Sequence, residues 1–242
     1  VFEEGAAGVA SALERGPATW GPMRRLFVAP VCAVLGGGDD VALQAALYVA
    51  NLLVMTGHGR LPLLAASDVL RDDGELAPPG DCRNLLVVGT PSANPAAASL
   101  LRPREDLGYE PPLAVGDGPA GTIALGGCHW AGRGLAVLTL LPWWLHAPAG
   151  TSRSPEQRLA LLATGTSPEA VAEAVSLLAT PTIPPMTRQP LTHLLPDYAL
   201  LNVAQTRARG AGGFLAAGFW GHRWRHEPRA AWERACHSAS GA

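Results

Sequence analysis

Three times along this chain a short apolar run stops at glycine and small polar residues, then resumes with helical spacing. The copies are VCAVLGGGDDVALQAALYVANLLV from Val31, NLLVVGTPSANPAAASLL from Asn84 and LALLATGTSPEAVAEAVSLL from Leu159. Apolar runs without alternation fit strands covered on both faces, as in parallel sheets. Strands alternating with helices imply right-handed βαβ crossovers. The expected fold is therefore α/β, a three-layer α/β/α sandwich on a mostly parallel sheet, flavodoxin- or Rossmann-like.

The helix starts carry capping signals. In the third copy either Thr166 caps with Glu169 in a capping box, or Ser167 caps with Pro168 at the first helical position. Val171, Ala174, Val175 and Leu178 then make one buried stripe. In the first copy Asp39 or Asp40 caps, and Leu43, Ala46, Leu47 and Ala50 form the stripe. Pro91 and Pro95 leave the second copy only a short helix. Between the first two copies, Leu61 to Leu64 reads as a strand, with Ser67 or Asp68 capping a short helix.

The rhythm breaks at Gly121 to Trp144. There GTIALGG and GLAVLTLLPWW, joined by CHWAGR, read as a β-hairpin insertion. The Pro-rich stretches around it and TPTIPPMTRQP after the third helix read as surface loops. GGFLAAGFWG, Gly212 to Gly221, reads as a last strand. Residues 1–20 are expected to be a linker, 21–225 one α/β domain and 226–242 a polar tail, disordered from about Ser238. The opening VFEEGAAGVASALERG has acidic residues where a signal peptide is basic, and no initiator Met. The chain is expected to be a piece of a longer polypeptide or a processed product.

Composition narrows the partners. Of 242 residues 48% are hydrophobic, and the net charge is -2. That supports a sizeable core and argues against nucleic acid or an acidic membrane surface. No apolar run reaches the length of a membrane span. The four cysteines, Cys32, Cys82, Cys128 and Cys236, are too widely spaced for a zinc knuckle or a disulfide framework. Buried free thiols are favoured over a bridge. The compartment is left open.

The chemistry expected of the Gly turns is weak. A phosphate loop needs GxxxxGK[ST], and all the basic residues here are Arg. Gly36, Gly37 and Gly38 approach a dinucleotide turn, but Asp39 and Asp40 would repel a pyrophosphate. Helix-start N–H groups leave weak ligand binding open at Gly36, Gly37, Gly89, Thr90, Ser92, Asn94, Gly165, Thr166 and Ser167. GTSPE and GTSRS fail the GxSxG pattern of a nucleophile elbow at the last Gly. His222 and His226 would share a face if helical, but three Arg nearby oppose a metal. No catalytic residue, metal or cofactor is expected. Trp and Arg enrichment near the end favours docking against a partner.

The order of GPMRRLFVAP at Gly21, NLLVVGTPSAN at Asn84, RLALLATGTSPEAVAEAVSLL at Arg158 and GAGGFLAAGFWGHRW at Gly210 resembles a known family. It is similar to the C-terminal accessory domain of large prolyl-oligopeptidase-like α/β-hydrolases, from about Gly21 to Trp224. Thr90 stands where that family often has a second Gly, Ser167-Pro168 replaces Asp-x-Gly, and His222 replaces Asn. The resemblance implies a flavodoxin-like domain without a serine triad of its own. It also implies docking onto an N-terminal α/β-hydrolase domain of the same polypeptide. Arg24, Arg25, Trp220, His222 and Trp224 would make the contact. One alternative is a free-standing flavodoxin- or amidotransferase-like enzyme using the Gly turns. Another is a carbohydrate or small-ligand module with Trp130, Trp143 or Trp144 as platform.

Overall fold

The computed structural model describes residues 12–38, 40–55, 59–117, 120–145, 155–179, 196–234 and 237–238, without the side chains of residues 24, 177–179 and 237–238. Asp39, Thr180 to Pro190 and the terminal residues 239–242 lie outside the described residues, and with them one candidate cap, the Pro-rich loop and the tail end.

The first repeat folds as its sequence suggests. Val31–Leu35 is β1, buried throughout, and Asp40–Met55 is α1. Leu63–Ala65 is β2 and Asn84–Val88 is β3. Pro95–Leu100 is the short α2, capped by Asn94, whose side chain accepts from the Ala96 N–H. Three further strands follow, Leu113–Gly116 (β4), Thr122–Leu125 (β5) and Cys128–Ala131 (β6). Then come two long strands, Leu135–Leu145 (β7) and Glu156–Gly165 (β8). Pro168–Ala179 is α3, Tyr198–Asn202 is β9, Val203–Arg209 is α4, Phe214–Trp220 is β10 and His226–Glu233 is β11. His237–Ser238, β12, pairs with β6.

Eight strands form one sheet in the order β11-β10-β9-β7-β8-β3-β1-β2, and β12-β6-β5-β4 form a second. The run β8-β3-β1-β2 is parallel. From β8 through β7, β9 and β10 to β11 every neighbour is antiparallel, as is the whole second sheet. This overturns the mostly parallel, flavodoxin- or Rossmann-like α/β/α sandwich. The molecule is strand-rich, its main sheet is mixed, and only four α-helices are assigned among the described residues. Burial on both faces reports how many layers cover a strand, not which way its neighbours run. Thus β7 is buried almost end to end yet antiparallel on both sides.

The expected hairpin is divided. CHWA is itself β6, turning from β5 through Gly126 and Gly127, whose φ values are positive. GLAVLTLLPWWL leaves that hairpin to become β7 of the main sheet, its Pro142 paired opposite Leu159 of β8.

Two expectations about cysteine and burial also change. Cys32 of β1 is bonded to Cys82, before β3, with Cα atoms 5.4 Å apart. Cys128 is disulfide-bonded too, and no cysteine among the described residues is free. Free thiols and bridged cysteines are equally apolar and equally buried, so burial propensity does not separate them. The α1 stripe is also rotated. It buries Ala42, Ala45, Ala46, Val49 and Leu53, leaving Leu43 and Leu47 exposed. The small alanines let α1 pack closely beside α3.

Candidate functional site

The parallel register places Leu35, Val88 and Ala163 side by side, so the turns after β1, β3 and β8 emerge at one edge of the sheet. The structure thus brings together Gly36 with Gly89 and Asn94. A Cβ on Gly36 would stand 1.9 Å from the Ala93 carbonyl oxygen, and one on Gly89 3.0 Å from the Asn94 Cβ. The buried Asn94 amide knots this corner by donating to the carbonyls of Val34 (3.1 Å) and Val88 (2.9 Å). Gly37 is open to solvent.

In the second and third turns, donors are already used by the chain. Asn94 Oδ1 accepts the Ala96 N–H at 3.0 Å. The Ser92 N–H donates to Asp117 Oδ2 at 2.9 Å, and Thr90 Oγ1 and Ser92 Oγ share a hydrogen at 3.2 Å. Burial acts to raise the Asp117 carboxyl, yet it stays below its ordinary value, because Ser92 donates through hydroxyl and N–H and Thr90 adds a hydrogen bond. Ser167 Oγ accepts the Ala170 N–H, so Ser167 rather than Thr166 caps α3. Thr166 turns to the β6–β7 connection, donating to Gly132 O (3.1 Å) and accepting the Leu135 N–H (3.2 Å). An anion arriving here would meet a resident carboxylate, Asp117, and a second, Asp40, in the first turn of α1. The geometry closes strand-to-helix turns.

The residues expected at a domain contact separate. Trp220 and Trp224 are buried, and both belong to a polar knot around Arg15. Arg15 Nη1 lies 2.6 Å from Asp197 Oδ2, with both side chains wholly buried. Arg15 also donates to Trp220 O and Thr19 O, and its guanidinium stacks 4.3 Å from the Trp224 ring centroid and 4.7 Å from that of Trp20. The Trp220 N–H donates to Asp197 at 3.0 Å. Trp224 holds a left-handed backbone, φ 60°, a strained setting for a bulky residue that its packing must stabilise. His222 is exposed, lying over Trp20 and 3.7 Å from Glu14. Arg25 donates to Ala18 O and Pro17 O. The side chain of Arg24 lies outside the described residues.

Arg15 carries no sequence signal, since a charged residue in a polar-looking stretch reads as solvated. Only the distant Asp197 makes its burial affordable. Trp130, Trp143 and Trp144 are buried and offer no stacking platform. His226, on β11, lies 2.6 Å from Glu233 rather than beside His222 on a helix. Among the described residues no group of His, Cys, Asp and Glu is placed to hold a metal, and no helix is long and apolar enough to cross a membrane.

At the opposite edge, the amino ends of β1, β3 and β8, lies a cleft of about 380 Å³. Among the described residues, Arg25, Arg83 and Arg158 line it with one carboxylate, Glu156. Glu156 accepts from Arg83 at 2.9 Å and from Arg158 at 3.2 Å. Those hydrogen bonds and charges, Arg158 first, hold its carboxyl below the ordinary value against a smaller effect of burial. No family model, curated protein or solved structure matches this chain.

Proposed function

We propose that the chain is a docking domain held against an α/β-hydrolase-type catalytic domain of the same polypeptide, and that the outer face of α1 makes the contact. The supporting observation is the helix's orientation. It buries its alanines and turns Leu43, Leu47, Tyr48, Val54 and Met55 outward, from 39% to 82% exposed. Leu43, Leu47 and Val54 recur at helical spacing and lie on one face. Asp40 is the only charged residue of the helix, so the face offers no ion pair and suits an apolar counterpart. Contiguous exposed apolar surface of this kind marks interaction sites. The resemblance supplies the partner domain. Trp220 and Trp224, being internal, leave that role to α1.

The first experiment is an immunoblot of source cells, then limited proteolysis of the native polypeptide carrying Leu47→Glu. The proposal expects a band well above 25.1 kDa and faster cleavage between domains in the variant. A native band at 25.1 kDa without a precursor would overturn it. A chain that dimerises through α1 would replace the catalytic domain with a second copy.

A further inference from the structure

The cleft at the amino ends of β1, β3 and β8 stands apart from the α1 face and has a different chemistry. Val28 and Pro30 give it an apolar wall, while three guanidinium groups face one carboxylate. Two of the three are fixed by neutral acceptors before any ligand arrives. Arg25 is held by the carbonyls of Ala18 (3.1 Å) and Pro17 (2.6 Å). Arg158 reaches the Cys82 carbonyl at 3.5 Å and lies over the Trp143 ring at 5.4 Å. Arg83 is 56% exposed and has further N–H donors beyond the one that meets Glu156.

We propose that this cleft binds a small organic oxyanion, a carboxylate or phosphate ester on a compact apolar body. The anion would take the planar fork of Arg83, beside Arg25 and Arg158, and the body would lie on Val28 and Pro30. Glu156 shows the recognition already made within the chain, since its carboxylate is gripped by two of the same guanidiniums. Arginine forks match carboxylate and phosphate oxygens, and such charge-assisted bonds are about twice as strong as neutral ones. The volume falls within the roughly 300–1,000 Å³ of small-molecule sites. Among the described residues, three cations against one anion leave a positive excess for the ligand to neutralise. Glu156 therefore competes with the ligand, which gives the proposal opposite signs for two substitutions.

The test is calorimetric titration of the full chain with benzoate, phenyl phosphate and neutral benzamide. Saturable binding of at least one anion is expected, with none of benzamide. Arg83→Gln weakens it about tenfold, the loss of one good charge-assisted contact. Glu156→Gln strengthens it by freeing both arginines. Arg71→Gln, in an exposed pair with Asp73 elsewhere, leaves it unchanged. Binding of benzoate alone or of phenyl phosphate alone identifies the headgroup. Failure of both anions to saturate by ~10 mM, a range that covers weak sites, overturns the proposal. So does equal binding to the Arg83→Gln chain, or weaker binding to the Glu156→Gln chain.

Discussion

The side chains that matter most to this molecule are those whose polar groups are hidden. Arg15 and Asp197 are both enclosed, and a buried pair that loses one member leaves an uncompensated charge. Asp197→Ala is therefore expected to lower unfolding free energy by about 3–5 kcal/mol in a urea titration. The neighbouring Tyr198 hydroxyl is pushed upward by burial, with Glu233 and Asp197 adding negative charge, and stays protonated in alkali. Asp117 gives a prediction in pH. Its folded carboxyl titrates below its unfolded value, so the stability it contributes is present at neutral pH. That stability is lost as pH falls from the ordinary carboxylate range through the lowered one. The melting temperatures of the wild type and Asp117→Asn are expected to differ at neutral pH and to converge as pH falls below the ordinary carboxylate range. Gly36 makes the complementary case from packing. With the Ala93 carbonyl 1.9 Å from its missing Cβ, Gly36→Ala is expected to cost more than about 2 kcal/mol, as overpacking does. Neither effect was legible beforehand. Glycine before a helix looks the same whether it makes room for a phosphate or for a neighbouring turn.

Among the elements, those with local signals were read from the chain and those set by distant pairing were not. The elements β1, α1, β3, α2, β8 and α3 follow from apolar runs, glycine stops and caps. The Ser167–Pro168 start of α3 is one of the two caps foreseen there. The path of β7 was not legible, because both hairpin pairing and sheet insertion are compatible with an apolar run ending in Pro-Trp-Trp. Its partners β8 and β9 are fixed only by tertiary register. His226–Glu233 reads as a polar tail because an edge strand exposed on one side needs little hydrophobicity. The same ambiguity rotated α1. Leucine and alanine are both apolar, and the choice of buried face fell to the small residues because α3 lies so near. Its outer leucines are expected to tolerate charge in the isolated chain. Leu43→Glu should change stability by no more than about 0.5 kcal/mol, as surface substitutions do. A larger loss would place Leu43 in the core.

For the molecule as a whole, the turns after β3 and β8 are tied into the chain's own hydrogen bonds, while the amino edge keeps a cationic cleft. The proposed anion would sit at the amino edge of the strands. The Cys32–Cys82 bond crosses this architecture, linking residues 50 apart. In the chain-entropy account a closure of that length is worth about 4 kcal/mol, and denaturant titration of the wild type against a Cys32→Ala, Cys82→Ala double variant, both without reductant, measures it. Stable disulfides of this kind belong to oxidising surroundings. The bond also makes residues 33–81, with α1 and β2 inside them, a covalent ring. A single cut of the backbone within that ring opens a loop without releasing a fragment. A nicked chain should therefore run as one species until its disulfides are reduced and as two pieces afterwards. The apolar face of α1 would stay leashed to the sheet through damage that would shed it from an unlinked fold.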